Sequence, residues 1–154
     1  MPNFSPQASL AQVRAWLRTK AHDGAACPAC GQNVKIYRRK INAGMARSLM
    51  LMYRVGGRDW VHVPSQIGAR SREEGKLAYW GLVEEEKALR PDGGRTGYWR
   101  VTKLGELWVR NKCTVPKYAK IYNGEVVALE PADQVTIVDA LGAEFNYSEM
   151  MAGL

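Results

Sequence analysis

The 154-residue chain has no run of 18 consecutive apolar residues, which leaves nothing to cross a bilayer as a helix. Its start, MPNFSPQASLAQ, has neither a basic leader nor an apolar stretch. Neither secretion nor membrane insertion is therefore expected, and a cytoplasmic protein is. Cysteine is scarce: three residues, two of them a C-x-x-C pair, fit a reduced compartment better than a disulfide framework. The chain has no G-x-x-x-x-G-K-S/T phosphate loop, no G-x-S-x-G and no H-E-x-x-H, and its two histidines, His22 and His62, are far apart. With none of those constellations present, the reading is a protein that is not an enzyme.

Basic residues are missing from one end. Residues 121–154 contain no Lys or Arg and six acids, whereas residues 1–120 hold all 22 Lys and Arg against nine acids, a surplus of 13. The basic part suits a polyanion and the tail does not. A hydrophobic content of 46% over this length is enough for one sizeable core.

Local patterns give the order of elements. In SLAQVRAWLRTK, Leu10, Val13, Trp16 and Leu17 recur at helical spacing and Ser9 is placed to cap. After a Gly-, Ala- and Cys-rich loop, NVKIYRRKINAGMARSLMLMYRVGG reads as one long helix, or two abutting near Gly44, ending at Gly56 and Gly57. DWVHVP is a short strand holding His62. SQIGARSREEGKLAYWGL comes next as two short helices, capped by Ser65 and by Ser71 with Glu74, and closed by Gly81. LVEEEKAL and GYWRVT flank PDGGRTG as a hairpin. Glu84, Glu85 and Glu86 sit on alternate faces of its first strand, an arrangement for a solvated edge and not for a metal cluster. Thr102 caps a last helix with Leu104, Leu107 and Trp108 inward. Trp80, Trp99, Leu104 and Trp108 are assigned to the core.

This order, and YWRVTKLGELWV with its T-x-x-G-x-x-aromatic pattern, resembles the winged helix-turn-helix family over roughly residues 41–112. Taken whole, the chain is similar to small winged-helix proteins of phages and other mobile elements. The resemblance implies an α+β fold: a helical arm with a CPACG turn and basic run (1–40), a winged-helix domain (41–112), and an acidic β-rich extension with a short terminal helix (113–154). It implies double-stranded DNA binding by helix 71–81 and the 90–97 wing, with Arg70, Arg72 and Lys76 on the helix and Arg90, Arg95 and Arg100 on the wing. Glu73 and Glu74 depart from a groove-facing pattern; they either cap the helix or accept from a cytosine amine. Winged-helix domains also dock proteins, so the alternative is a phage-type effector that engages or inhibits a host nucleic-acid enzyme.

KIYRRK adds charge. On a helix Lys35, Arg38 and Arg39 share one side and track a phosphate strand. CPACG resembles half of a zinc knuckle, which leaves two ligands to be found. Cys27 and Cys30 are the given pair, and the other two ligands come from His22, His62, Cys113 or a neighbouring molecule, His22 and Cys113 being the candidates within reach. In the tail, IYNGEVV is a strong hairpin signal, KYAKIY, EVVALE and QVTIV are β-prone, and a short helix starts near Ser148. The tail is open to three roles: a homodimer contact, a contact for a basic partner, or a cover on the basic surface.

Overall fold

The computed structural model describes residues 4–68 and 73–152. It is a mixed α and β structure, 37% helical and 23% strand. Among the described residues no helix is long and apolar enough to cross a membrane.

The first helix, α1 (Leu10–Lys20), starts in a capping box: the Ser9 side chain accepts from the Gln12 backbone N–H, and the Gln12 side chain accepts from that of Ser9. Its Leu17 is buried, and Trp16 meets the Phe4 ring edge-on at 5.6 Å. A small hairpin, β1 (Ala25–Ala26) with β2 (Asn33–Val34), then carries the CPACG turn at its tip.

The basic run forms β3 (Tyr37–Lys40) and not the expected helix. It pairs antiparallel over its four residues with β8 (Tyr118–Tyr122), some 80 positions later, and the next residue, Ile41, is buried and donates to the Lys117 carbonyl. A distant ladder satisfies the backbone that a helix would otherwise satisfy locally, and tertiary pairing overrides the local pattern. The helix begins only after Asn42, whose Oδ1 accepts from the Met45 N–H at 3.0 Å. This α2 (Ala43–Gly56) buries Met45, Ala46, Leu49, Met50, Met52 and Tyr53 and stops where expected, at Gly57.

After β4 (Val61–His62), α3 (Val63–Gln66) is one turn with Pro64 near its start. Ser65 is not its cap; the Ser65 hydroxyl lies 2.6 Å from His62 Nδ1 instead. Ser71, expected to cap the next helix, lies outside the described residues. That helix is shorter than expected: α4 (Glu74–Leu77) runs into a 3₁₀ turn, Ala78–Trp80, closed by left-handed Gly81. No side-chain cap comes from Glu73, and Glu74 is buried. Strands β5 (Val83–Glu85) and β6 (Tyr98–Val101) make the hairpin, and β6 also pairs with β4 to give the order β4-β6-β5. Beyond the strands the loop stays narrow through a Leu89–Arg95 bridge and an Arg90 N–H bond to the Gly94 carbonyl.

Helix α5 (Lys103–Val109) explains the T-x-x-G-x-x-aromatic pattern. Thr102 Oγ1 accepts from the Gly105 N–H and donates to the Gly81 carbonyl at 2.6 Å, while the Thr102 N–H donates to the Leu82 carbonyl. That last bond pulls the chain so close that a Cβ at Gly105 would sit 2.1 Å from the Leu82 oxygen. Trp108, one turn on, is fully buried. The inward stripe is Gly105, Trp108 and Val109; Leu104, expected inside, is 39% exposed.

The tail joins the same core. Strands β7 (Val115–Pro116) and β10 (Gln134–Val135) pair, and β8 also pairs with β9 (Glu125–Leu129) through a turn in which Asn123 and Gly124 both take positive φ. The second half of QVTIV is not strand: Thr136 caps α6 (Ile137–Leu141), with Asp139 completing the capping box. Asn146 caps α7 (Tyr147–Met151). Ile137 and Leu141 are buried with α2, and two tryptophans tie tail to body, Trp80 Nε1 to the Pro116 carbonyl at 2.6 Å and Trp108 Nε1 to the Val135 carbonyl at 3.1 Å. Residues from 41 to 141 thus share one core.

Candidate nucleic-acid interface

The expected contact residues fall into two electrostatic settings. In the first, each cation has a carboxylate. Lys76 Nζ lies 2.8 Å from Glu73 one turn back on α4. Antiparallel register places Glu84 directly opposite Arg100, and the two form an ion pair, with the Arg100 guanidinium also 4.4 Å from the Trp60 ring centre. Arg95 reaches Glu85 at 3.7 Å, and Arg90 reaches Asp92 at 3.3 Å across the loop. Two of the three glutamates expected as a solvated edge, Glu84 and Glu85, are therefore also counterions of the hairpin arginines. Arg70 and Arg72 lie outside the described residues.

β3 divides its cations by the alternation of a strand, so Lys35, Arg38 and Arg39 do not share the helix side expected of them. Arg38 makes a two-pronged contact with Glu130, Nε to Oε2 at 2.8 Å and Nη2 to Oε1 at 3.1 Å, and its guanidinium stacks 3.5 Å from the Tyr118 ring centre. Those bonds hold the Glu130 carboxyl below the ordinary glutamate value and raise Arg38. Lys35 and Arg39 form no ion pair among the described residues; Lys35 Nζ rests 5.0 Å from the Tyr37 ring centre.

In the second setting, cations outnumber acids, Arg38 being paired among the described residues only with Glu130 of the tail. Residues 4–40 contain seven Lys and Arg and a single acid, Asp23. Three of the seven, Arg14, Arg18 and Lys35, line a groove of about 390 Å³ with Tyr37, Tyr122 and Asn123. Sequence reasoning did not single out Arg14, Arg18 or Tyr122. The i, i+4 spacing of the two arginines around Leu17 was visible on α1, but the groove exists only because the β8–β9 turn is brought to it.

The expected metal ligands are not brought together. Among the described residues no group of three or more His, Cys, Asp and Glu is placed to hold a metal ion, so His22, Cys27, Cys30 and Cys113 do not form the site expected of them. The CPACG turn itself is well formed: the Cys27 carbonyl accepts from the Gly31 N–H and the Cys27 N–H donates to the Gln32 carbonyl, both at 2.8 Å. Hydrogen bonds from the Cys30 and Ala29 backbone lower the Cys27 thiol pKa, while burial raises that of Cys113 beside the core.

No family model, curated protein or solved structure matches this chain.

Proposed function

We propose that the chain is a winged-helix protein that binds double-stranded DNA and catalyses no reaction, serving as a regulator or accessory factor of a phage or other mobile element in the host cytoplasm. The reading is supported by the succession α2, β4, α3, α4, β5, β6, α5 around a three-stranded sheet of order β4-β6-β5. That succession sets a short helix pair beside a hairpin, the parts a winged helix lays on a duplex. The observation that carries the DNA reading is the hairpin tip, where the Arg90 and Arg95 side chains stay 57% and 78% exposed despite their carboxylate neighbours. Exposed pairs of this kind are worth about 0–1 kcal/mol, so a phosphate can take the place of the carboxylate. Fluorescence anisotropy with a random duplex at several salt concentrations tests it. Changing Arg90 and Arg95 to Ala is expected to weaken binding and flatten the log–log salt slope by about 1.8, two phosphate contacts at about 0.9 each. An unchanged affinity and slope would remove the wing from the interface.

A second reading, a protein-binding effector that engages a host nucleic-acid enzyme, is favoured by one observation. β9 is an edge strand, exposed along its length, with Val126, Val127 and Leu129 open to solvent. Such an edge accepts a strand from another chain, either a host partner or a second copy.

A further inference from the structure

We propose that the groove between α1 and the β8–β9 turn is a second nucleic-acid site, one that takes single-stranded DNA. The groove does not depend on the winged-helix reading; the choice of deoxyribose over ribose rests on it.

The cationic wall comes from helix periodicity. Arg14 and Arg18 are one turn apart on α1, about 6 Å along its axis, and Leu17 between them is buried, which turns both guanidiniums to the same border of the groove. The Ile36 N–H donates to the Ala21 carbonyl at 2.8 Å and ties the extended stretch after β2 to the end of α1. Lys35 and Tyr37 thereby line the same cavity as the two arginines. No carboxylate lines the groove. Among the described residues Arg14, Arg18 and Lys35 form no ion pair, unlike Arg90, Arg95 and Arg100 of the wing. Three uncompensated charges around one concavity attract a polyanion more strongly than the same number spread over a convex face.

The aromatic groups select the single strand. The Tyr37 ring is 52% exposed at the groove, and Tyr122 lies half-buried beside Asn123. A duplex keeps its bases stacked on one another and offers a narrow groove only phosphates, whereas an unpaired strand can lay a base on each tyrosine while its phosphates follow Arg14, Arg18 and Lys35. Asn123, at the turn, adds an amide that can bond a base edge without imposing a sequence.

The test is an anisotropy titration of the full chain with a labelled oligothymidylate of about 15 nucleotides, within the range such sites cover. A random duplex, the matching oligouridylate and poly-glutamate are run alongside. Wild type is expected to bind the oligothymidylate with a salt-sensitive Kd. R14A/R18A should flatten the slope by about 1.4, two contacts at about 0.7 each for a single strand, while leaving duplex affinity unchanged. Tyr37→Ala should weaken oligothymidylate binding about tenfold and leave the slope unchanged, as loss of stacking does. All three side chains are solvent-exposed, and matching thermal melts would show that the variants fold. The proposal is overturned if wild type fails to bind oligothymidylate at low salt or if R14A/R18A binds it as wild type does. It is equally overturned if poly-glutamate competes as effectively as DNA or if oligouridylate binds more tightly. Loss of duplex binding alone would overturn the duplex-binding reading and leave the groove as a single-strand site, its choice of deoxyribose then resting on the oligouridylate comparison.

Discussion

The β5–β6 hairpin, proposed as the wing, and the amino-terminal groove are both arginine-rich, and they differ in what surrounds the arginines. On the hairpin, Glu84, Glu85 and Asp92 stand beside Arg100, Arg95 and Arg90, and it grows from β5 and β6, whose Val83, Trp99 and Val101 belong to the main core. At the groove Arg14, Arg18 and Lys35 have no acid, and α1 rests on its own small contacts through Leu17 and Ala21. The difference teaches that counting cations along a sequence measures the wrong quantity. What a polyanion meets is the charge left after local pairing, and by that measure the first 40 residues outweigh the wing.

The sharpest way to break the wing is to break its foundation. A Cβ at Gly105 has backbone oxygen 2.1 Å away and no flexible side chain to displace, so Gly105→Ala is expected to cost at least about 1–3 kcal/mol. Chemical denaturation would register this as a lower midpoint. A stability equal to wild type would mean that the Leu82 carbonyl does not press closely on α5.

Releasing the wing's arginines should have a smaller effect in the opposite sense. Glu85→Gln with Asp92→Asn removes two competing carboxylates, and the amide introduced in place of Asp92 keeps an acceptor for the Gly94 N–H. Duplex affinity at low salt should rise by a few fold, with an upper bound of about thirtyfold, since two exposed pairs at about 0–1 kcal/mol each sum to at most about 2 kcal/mol. Oligothymidylate binding in the groove should not follow. An unchanged duplex affinity would show that these carboxylates do not compete with phosphate.

The smallest effect concerns the tie between the basic strand and the tail. Arg38 hydrogen-bonds Glu130 and lowers its pKa, with Lys120 adding to the shift. A depressed carboxylate contributes stability that is fully present above its unfolded value, about 4.3, and lost as pH falls through the lower folded value. Glu130→Gln should therefore narrow the gap in stability between neutral pH and about pH 3, below the ordinary glutamate value, read by thermal melts at both. An identical acid sensitivity in wild type and variant would remove this pair from the acid response.

Much of the fold was legible where chemistry is local. Ser9 and Thr102 announce helix starts because a side-chain oxygen three residues before a free amide is a local arrangement. Asn123-Gly124 announces a turn because both residues tolerate positive φ. β3 was not legible: its partner strand is some 80 residues away, and Tyr37–Lys40 reads equally well as part of α2 until that strand is known. α6 was hidden because Val135, Ile137 and Val138 look β-prone while the capping pair Thr136 and Asp139 decides the matter. Of the candidate sites, the hairpin arginines and the basic run could be named from sequence. Their counterions could not, since the Glu84–Arg100 pair depends on hairpin register and the Arg38–Glu130 pair on the β3–β8–β9 sheet.

The central claim is that duplex DNA engages the helix pair and the wing. Its most direct test is amide chemical-shift mapping of the ¹⁵N-labelled chain during titration with a short random duplex. Shifts concentrated in residues 73–80 and 86–97, with residues 14–18 and 33–37 unmoved, are the expected result. Shifts confined to residues 14–18, 33–37 and 122–123, or none at all, would contradict it.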